Sequence, residues 1–379
     1  MPRGRRWMTG LRRTRRYTDM DDAWKQKVRR VRSYTPGLQP VPDASLIKLN
    51  TNECPYPPSP KVAEALARFD AETLRLYPAP DADALTEALA HYHGVKKEQV
   101  FTGVGSDEVL ALAFLTFFAG EGKEQRPVFF PDVTYSFYEV WAALYGIPYE
   151  TKALREDFTI DPADYADAPG GVVIANPNAP TALAAPLSLI EEIVKQNPGT
   201  VVIIDEAYVD FGGETALPLL AKYDNLLVTR TFSKSRAMAG MRIGYAIGNE
   251  ELIAHLKNTK FAFNSYTMSR VAIEAGCASL ADEAYFRETV AKIKATRERL
   301  AKELSALGFT FPPSSANFLF VTHPRAEAKR LYEDLMKDKI YVRYFDAPRT
   351  KDYLRITVGT DKEADALLSF LRAYPALKE

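Results

Sequence analysis

The stretch Thr231-Phe-Ser-Lys-Ser-Arg-Ala-Met-Ala-Gly-Met-Arg-Ile-Gly-Tyr-Ala-Ile-Gly248 sets one lysine, Lys234, between two serines. An arginine, Arg242, follows, and glycines at 240, 244 and 248 bracket an apolar run. The segment Leu226-Leu-Val-Thr-Arg230 just before it reads as a buried strand. A solvated lysine usually sits among charges on a polar helix face, whereas this one leaves an apolar strand and enters Met, Ala and Gly. Partial burial disfavours the charged form of an amine and makes it a better nucleophile. Ser233 and Arg242 add a hydroxyl and a guanidinium suited to holding a phosphate.

Other strand ends carry matching chemistry. From residue 126 onward short apolar runs alternate with helical stretches, and strands are expected at 127–130, 147–151, 171–175, 200–204 and 226–230. Helices near 134–145 and 186–197 fall between them, the pattern of a mainly parallel sheet buried between helices, an α/β fold. Ligands of such sheets sit at the carboxyl ends of the strands. Tyr135, Asn176 and Asn178, Asp205 and Tyr208, and Lys234 each follow one of these runs.

Phe101-Thr-Gly-Val-Gly-Ser-Asp-Glu108 turns into an apolar helix, and Gly103 and Gly105 at that turn leave free backbone N–H groups at the positive end of its dipole, a candidate anion seat. Simple helix capping by Ser106 and Asp107 is the plainer alternative. A dinucleotide fingerprint is excluded, because Glu108 stands where its third glycine belongs. Asp205-Glu-Ala-Tyr208 follows four β-branched residues; a nucleotide-hydrolysing reading fails for want of a P-loop. A carboxylate there can keep a pyridine nitrogen protonated. Lysine, phosphate clamp and buried carboxylate together point to pyridoxal 5'-phosphate.

Composition excludes several other classes. Lys+Arg and Asp+Glu are 49 each, so no bulk field attracts nucleic acid or an acidic membrane. Two cysteines, Cys54 and Cys277, make neither a disulfide framework nor a zinc site, and no metal is expected. No apolar run reaches the roughly 18 residues of a spanning helix, and no secretory leader is evident, so a cytoplasmic protein is expected.

Residues 1–19 form an Arg-rich extension expected to be disordered, and Trp24 to Arg32 reads as a short helix. Residues 20–57 are expected to pack on the smaller domain and the active site, with Asn50, Asn52, Glu53 and Tyr56 forming a dense polar run. A large cofactor-binding domain is expected over 58–262 and a smaller α+β domain over 263–379. In the latter, strands at 317–321, 340–344 and 353–357 carry Arg343 and Arg355 among apolar residues. Arginines in strands usually face solvent; two flanked by buried-type residues suggest an anion pocket.

From about Trp24 onward the chain resembles the pyridoxal-phosphate aminotransferases of fold type I, and among them the histidinol-phosphate branch. The resemblance rests on Asn50-Thr-Asn-Glu-Cys-Pro-Tyr56, Leu76-Tyr-Pro78, Gly105-Ser-Asp-Glu108, Asp205-Glu-Ala-Tyr-Val-Asp-Phe211, Thr231-Phe-Ser-Lys234 through Gly240-Met-Arg242, and Leu354-Arg-Ile-Thr-Val-Gly359. It implies a large domain with a mainly parallel, seven-stranded-type sheet. It also implies that Lys234 bonds the cofactor and moves a proton, that Asp205 pairs with the pyridine nitrogen, that Tyr208 bonds the ring hydroxyl, and that Tyr135 stacks on the ring. Ser106, Asp107, Ser233 and Arg242 would surround the phosphate, joined by Tyr77 from the second subunit of a homodimer. Arg355 and Arg343 would bind the anionic end of the substrate, with Asn52 and Tyr56 beside it. The implied substrates are L-histidinol phosphate and the 2-oxoglutarate/glutamate pair.

The chain departs from the family pattern at Asn178-Ala-Pro-Thr-Ala182, where Asn-Pro-Thr-Gly is usual. The asparagine that bonds the ring hydroxyl is therefore displaced, to Asn178, or absent. Pro36-Gly37 and Cys54 differ as well, on the substrate side. The rival readings are an aromatic amino-acid aminotransferase, a pyridoxal-dependent decarboxylase of a phosphorylated amino acid, and a non-catalytic effector module. The last needs a fused DNA-binding domain for which 19 residues are too few.

Overall fold

The computed structural model describes residues 23–31, 33–41, 45–120 and 125–378. The Arg-rich segment 1–19 lies outside them. A seven-stranded sheet forms the centre, in the order Val100–Val104, Ile243–Gly248, Leu226–Thr231, Val202–Asp205, Val172–Ala175, Val128–Pro131, Tyr149–Lys152. Every pairing is parallel except those of Ile243–Gly248, which runs antiparallel to both neighbours.

Strand periodicity divides the core. Val173 and Ile203 join Leu110, Phe114, Trp141 and Leu256 on one face, under the helices Gly105–Phe117, Phe137–Tyr145 and Glu250–Phe263. Val172, Ile174, Val202 and Ile204 point the other way, onto Ile190, Ile193 and Val194 of the helix Leu187–Gln196. The central strands therefore read as continuous apolar runs, as a sheet covered on both faces requires.

A second sheet, Arg343–Tyr344, Leu354–Thr357 and Phe318–Val321, is antiparallel. It packs with the helices Glu283–Ala306, Ala328–Lys337 and Asp361–Ala373 around Leu300, Leu319, Ile356 and Leu367. The last of these helices starts at a reciprocal cap in which Thr360 and Glu363 bond each other's backbone N–H.

The structure departs from the sequence reading in four places. Two strands of the large sheet, Val100–Val104 and Ile243–Gly248, carry glycines that make them read as loops in sequence. The run 340–344 is two strands, because the chain changes partner at Val342: Ile340–Tyr341 pairs with Ile47–Lys48, and Arg343–Tyr344 with Leu354–Thr357. The first helix spans only Ala23–Lys27 of the described residues. The helix expected from 134 begins at Phe137, after a turn that leaves Tyr135 free to face the carboxyl edge.

Candidate active site

The antiparallel strand decides where the site lies. Ile243–Gly248 starts at the edge where its parallel neighbours end, and the register Val104↔Ile243 sets Arg242 beside Gly105 and Ser106. Gly244 faces Gly103 across this pair. A Cβ at Gly244 would lie 2.2 Å from Gly105 C and Ser106 N, so the bare backbone lets the helix Gly105–Phe117 start against the sheet. Its first N–H groups have no intrahelical acceptor and make a positive end. Glu108 Oε2 accepts the Val104 N–H at 2.6 Å, which explains a carboxylate where a phosphate-binding fingerprint wants glycine.

A cleft with about 760 Å³ of empty space opens at this edge. Ser106, Asp107, Tyr135, Asp205, Tyr208, Ser233, Lys234 and Arg242 all line it. Arg242, in a left-handed backbone conformation at φ +51°, donates from Nη2 to Asp107 Oδ2 at 3.0 Å and from Nη1 to Ser233 Oγ at 3.4 Å. Tyr135 donates to Asp107 Oδ1 at 2.8 Å. The Asp107 carboxylate is thus turned to Arg242 and Tyr135, and what remains for an anion is the helix N-terminus, the serine hydroxyls and the guanidinium.

Asp205 closes the floor at 5% exposure. Tyr138 donates to its Oδ2 at 2.9 Å and the Ala207 N–H to its Oδ1 at 3.3 Å, yet among the described residues no lysine or arginine pairs with it. Burial pushes its carboxyl up to about 6, opposed by these hydrogen bonds. A buried carboxylate without a cation is costly and fits a cationic nitrogen seated above it. Lys234 reaches into the same cleft and donates from Nζ to Thr51 O at 3.1 Å. An anion cradle, a reactive amine and an unpaired buried carboxylate are the groups that pyridoxal phosphate needs, so these residues fit it.

Behind Tyr208 lies Phe318, edge-on to it at 5.0 Å, with the Arg355 guanidinium 5.3 Å from the same ring. Arg355 donates from Nη2 to Asn50 O at 2.9 Å, its Nε is buried without a partner among the described residues, and desolvation holds it below the usual arginine range. Arg343 is its cross-strand neighbour, in register. Two like charges opposite each other on adjacent strands are unfavourable unless an anion joins them.

Not every expected residue enters the cleft. Asn178 is engaged by its own loop and by the segment that follows Val128–Pro131: its Nδ2 donates to Thr181 Oγ1 and Val133 O, both at 2.9 Å, and its Oδ1 accepts from Thr134 at 2.8 Å. The cleft wall there is Pro177 and Ala179. Tyr56 packs with Phe211, Val290 and Val358 away from the cleft. Asn52 bonds Tyr208 and Thr357. Tyr77 is 77% exposed and stacks on Tyr266. Two residues without a sequence-based expectation do belong to this region. Tyr34 stacks on Phe137 at 4.2 Å and contributes to the field at Arg355, and Tyr138 holds Asp205. Tyr34 stands two residues before the Pro36-Gly37 turn, and an aromatic at such a turn beside an active-site loop was the available signal. Among the described residues no cluster of His, Cys, Asp or Glu could hold a metal.

Comparison with known proteins agrees with this chemistry. The chain is 52% identical over 357 residues to histidinol-phosphate aminotransferase 2 of Dechloromonas aromatica, covering 93% of this chain and 99% of that one. It is 49% identical over 357 residues to the histidinol-phosphate aminotransferase of Lactococcus lactis subsp. cremoris, with 94% and 99% covered. A crystal structure of histidinol-phosphate aminotransferase from Sinorhizobium meliloti in complex with pyridoxal-5'-phosphate superposes with a TM-score of 0.78 at 26% identity, covering 87% of this chain and 90% of that one. The model for aminotransferase class I and II matches residues 44–371. The chain therefore belongs to the family of class I and II aminotransferases, which depend on pyridoxal phosphate.

Proposed function

We propose that this chain transfers the amino group of L-histidinol phosphate to 2-oxoglutarate, releasing imidazole-acetol phosphate and L-glutamate, as a step of histidine biosynthesis. The observation that carries the reading is the pairing of Arg355 with Arg343 in register, behind a cleft lined by both Lys234 and Asp205. Two arginines accept a phosphate in one half-reaction and a carboxylate in the other. Relatives of the same name at about half identity over nearly the whole chain favour this substrate over an aromatic amino acid.

When bound, pyridoxal phosphate supplies an electron sink that no side chain offers. Lys234 would hold the cofactor through Nζ and would serve as the base that moves a proton at the substrate carbon. Asp205 would keep the pyridine nitrogen protonated, Tyr208 would donate to the ring oxygen, and Tyr135 would lie against the ring. Ser106, Asp107, Ser233 and Arg242 would hold the phosphate. Tyr34 closes the substrate side, where Arg343 donates to Thr35 O and Pro36 O.

A homodimer completes the site in this reading. Leu74, Leu76, Tyr77, Phe261, Phe263 and Tyr266 are exposed, and Arg270 ties the two segments by donating to Leu76 O and Tyr77 O. Exposed apolar surface of this kind favours association, and it would bring the partner subunit's Tyr77 to the phosphate. No helix among the described residues is long and apolar enough to cross a membrane, and a cytoplasmic location suits the chemistry. Residues 58–262 and 263–379 form the two domains of this proposal.

The test is the visible absorbance of the cofactor-loaded protein. The band should bleach with stoichiometric L-histidinol phosphate and only at far higher L-phenylalanine. Equal bleaching by phenylalanine overturns the substrate, and no band after adding pyridoxal phosphate overturns the cofactor site.

A further inference from the structure

Asn52 is 1% exposed and held at φ +58°, a left-handed conformation that asparagine tolerates better than most residues. Four hydrogen bonds fix it. Its N–H donates to Thr357 Oγ1 at 3.0 Å, and that hydroxyl donates to Asn52 Oδ1 at 2.9 Å. Asn317 Nδ2 donates to Asn52 O at 3.0 Å, and Asn52 Nδ2 donates to the Tyr208 hydroxyl oxygen at 2.9 Å. The amide orientation follows from this network. Thr357 is 2% exposed, and its hydroxyl proton has no other acceptor among the described residues, so Oδ1 faces Thr357 and the NH2 faces Tyr208.

A phenol oxygen that accepts an N–H leaves its own proton to be donated elsewhere, and is a stronger donor for it. Tyr208 lines the cleft, so that is where the proton goes. On the neighbouring wall Ala179 offers no hydrogen-bonding side chain, and the Asn178 amide is spent on Val133, Thr134 and Thr181. We propose that Asn52 is a positioning residue, which sets the Tyr208 hydroxyl as the donor to the cofactor's ring oxygen in place of an asparagine at the Ala179 position. The inference rests on the cofactor reading above. The same loop is gripped by the substrate-side strand: Thr357 and Arg355 are two residues apart on Leu354–Thr357, and Arg355 holds Asn50 O. Lys234 Nζ meets Thr51 O between them. Asn52 thus orients Tyr208 from the strand that carries Arg355.

The test is the pH titration of the visible band of the full-length, cofactor-loaded protein without substrate, alongside kcat and KM. A donor at the ring oxygen stabilises its negative charge, so losing it raises the pH at which Lys234 Nζ gives up its proton. Tyr208→Phe should raise the midpoint by about one pH unit. Asn52→Asp keeps size, backbone conformation and the Thr357 bond but offers Tyr208 an acceptor that draws its proton away from the cleft. It should match Tyr208→Phe. Because a new carboxylate raises the midpoint by charge alone, the uncharged Asn52→Gly, which accepts the same backbone, decides. It should raise the midpoint by about half a unit and lower kcat more than it raises KM. If Asn52→Gly leaves the midpoint at the wild-type value while Tyr208→Phe moves it, the positioning role is overturned. If Tyr208→Phe moves nothing, the placement of the cofactor at Tyr208 falls first, and the inference with it.

Discussion

The Tyr138 hydroxyl donates to Asp205 Oδ2 at 2.9 Å, both side chains being buried and Asp205 lining the cleft. Burial pushes the Asp205 carboxyl up to about 6, and the Tyr138 bond opposes that push. The folded, cofactor-free protein binds the Asp205 proton more tightly than the unfolded chain, whose carboxyl titrates near 3.9. Stability attributable to Asp205 therefore falls as pH rises through about 4 to 6. Asp205→Asn should stabilise the cofactor-free protein at pH 7 by about 1–3 kcal/mol, with no gain below about pH 4. Urea denaturation at the two pH values checks it. The same variant should lose several orders of magnitude in turnover, because a neutral amide does not hold the pyridine proton.

Tyr138→Phe removes the opposing bond without changing the packing against Phe114 and Phe130. The Asp205 carboxyl then moves further up. The cofactor-free protein should become less stable at pH 7 by about 1–2 kcal/mol, and the acid limb of the kcat/KM profile should shift to higher pH. An unchanged profile would mean that Tyr138 is merely packed.

Gly244→Ala tests whether the phosphate cradle depends on close approach of strand and helix. The new methyl meets Gly105 and Ser106 backbone at 2.2 Å, and backbone cannot rotate away as a side chain can. We expect a loss of about 1–3 kcal/mol in stability and weaker retention of pyridoxal phosphate on dialysis, because the displaced N–H groups no longer converge. Gly240→Ala has no heavy atom within 4 Å of its new carbon and serves as the control.

The large sheet shows which parts of this molecule were legible in sequence. Val172–Ala175 and Val202–Asp205 are short buried runs, and burial on both faces writes itself as uninterrupted apolar residues. Val100–Val104 and Ile243–Gly248 were hidden because their glycines serve close approach, Gly244 to Gly105 and Ser106, Gly103 to Glu108 and Val109, rather than strand propensity. Tyr135, Asp205, Tyr208, Ser233 and Lys234 were readable for a similar reason: each follows the end of a strand, so position along the chain carries position in space. Asn178 was not, since a carbonyl from a distant segment, Val133 O, and a hydroxyl of its own loop, Thr181 Oγ1, decide where the amide points, and one sequence shows neither. Tyr138 was also hidden, being one aromatic in a helix that contains several.

Arg355→Lys should separate fork geometry from charge. Lysine keeps the positive charge but loses the planar pair of donors and the unpartnered Nε. KM should rise by about ten- to a hundredfold for both L-histidinol phosphate and 2-oxoglutarate, with a smaller change in kcat, because one site serves both anions. A rise for only one of them would show that the two anions use different residues.

Phe263 is 72% exposed and follows Phe261 on the helix Glu250–Phe263, whose end lies near the Tyr77–Tyr266 stack. Isolated surface aromatics are ordinary, but a cluster with Leu74 and Leu76 buries itself when it can. Phe263→Asp adds a charge that must be desolvated in a dimer and costs nothing in a monomer. Sedimentation should show dimers for the wild type and monomers for Phe263→Asp at micromolar concentration. If the partner subunit's Tyr77 completes the phosphate site, the monomer should also hold pyridoxal phosphate about tenfold more weakly, and Tyr77→Phe should weaken it to a similar extent while remaining dimeric. A monomer that holds the cofactor as tightly as the wild type would confine the phosphate site to Ser106, Asp107, Ser233 and Arg242 of its own chain.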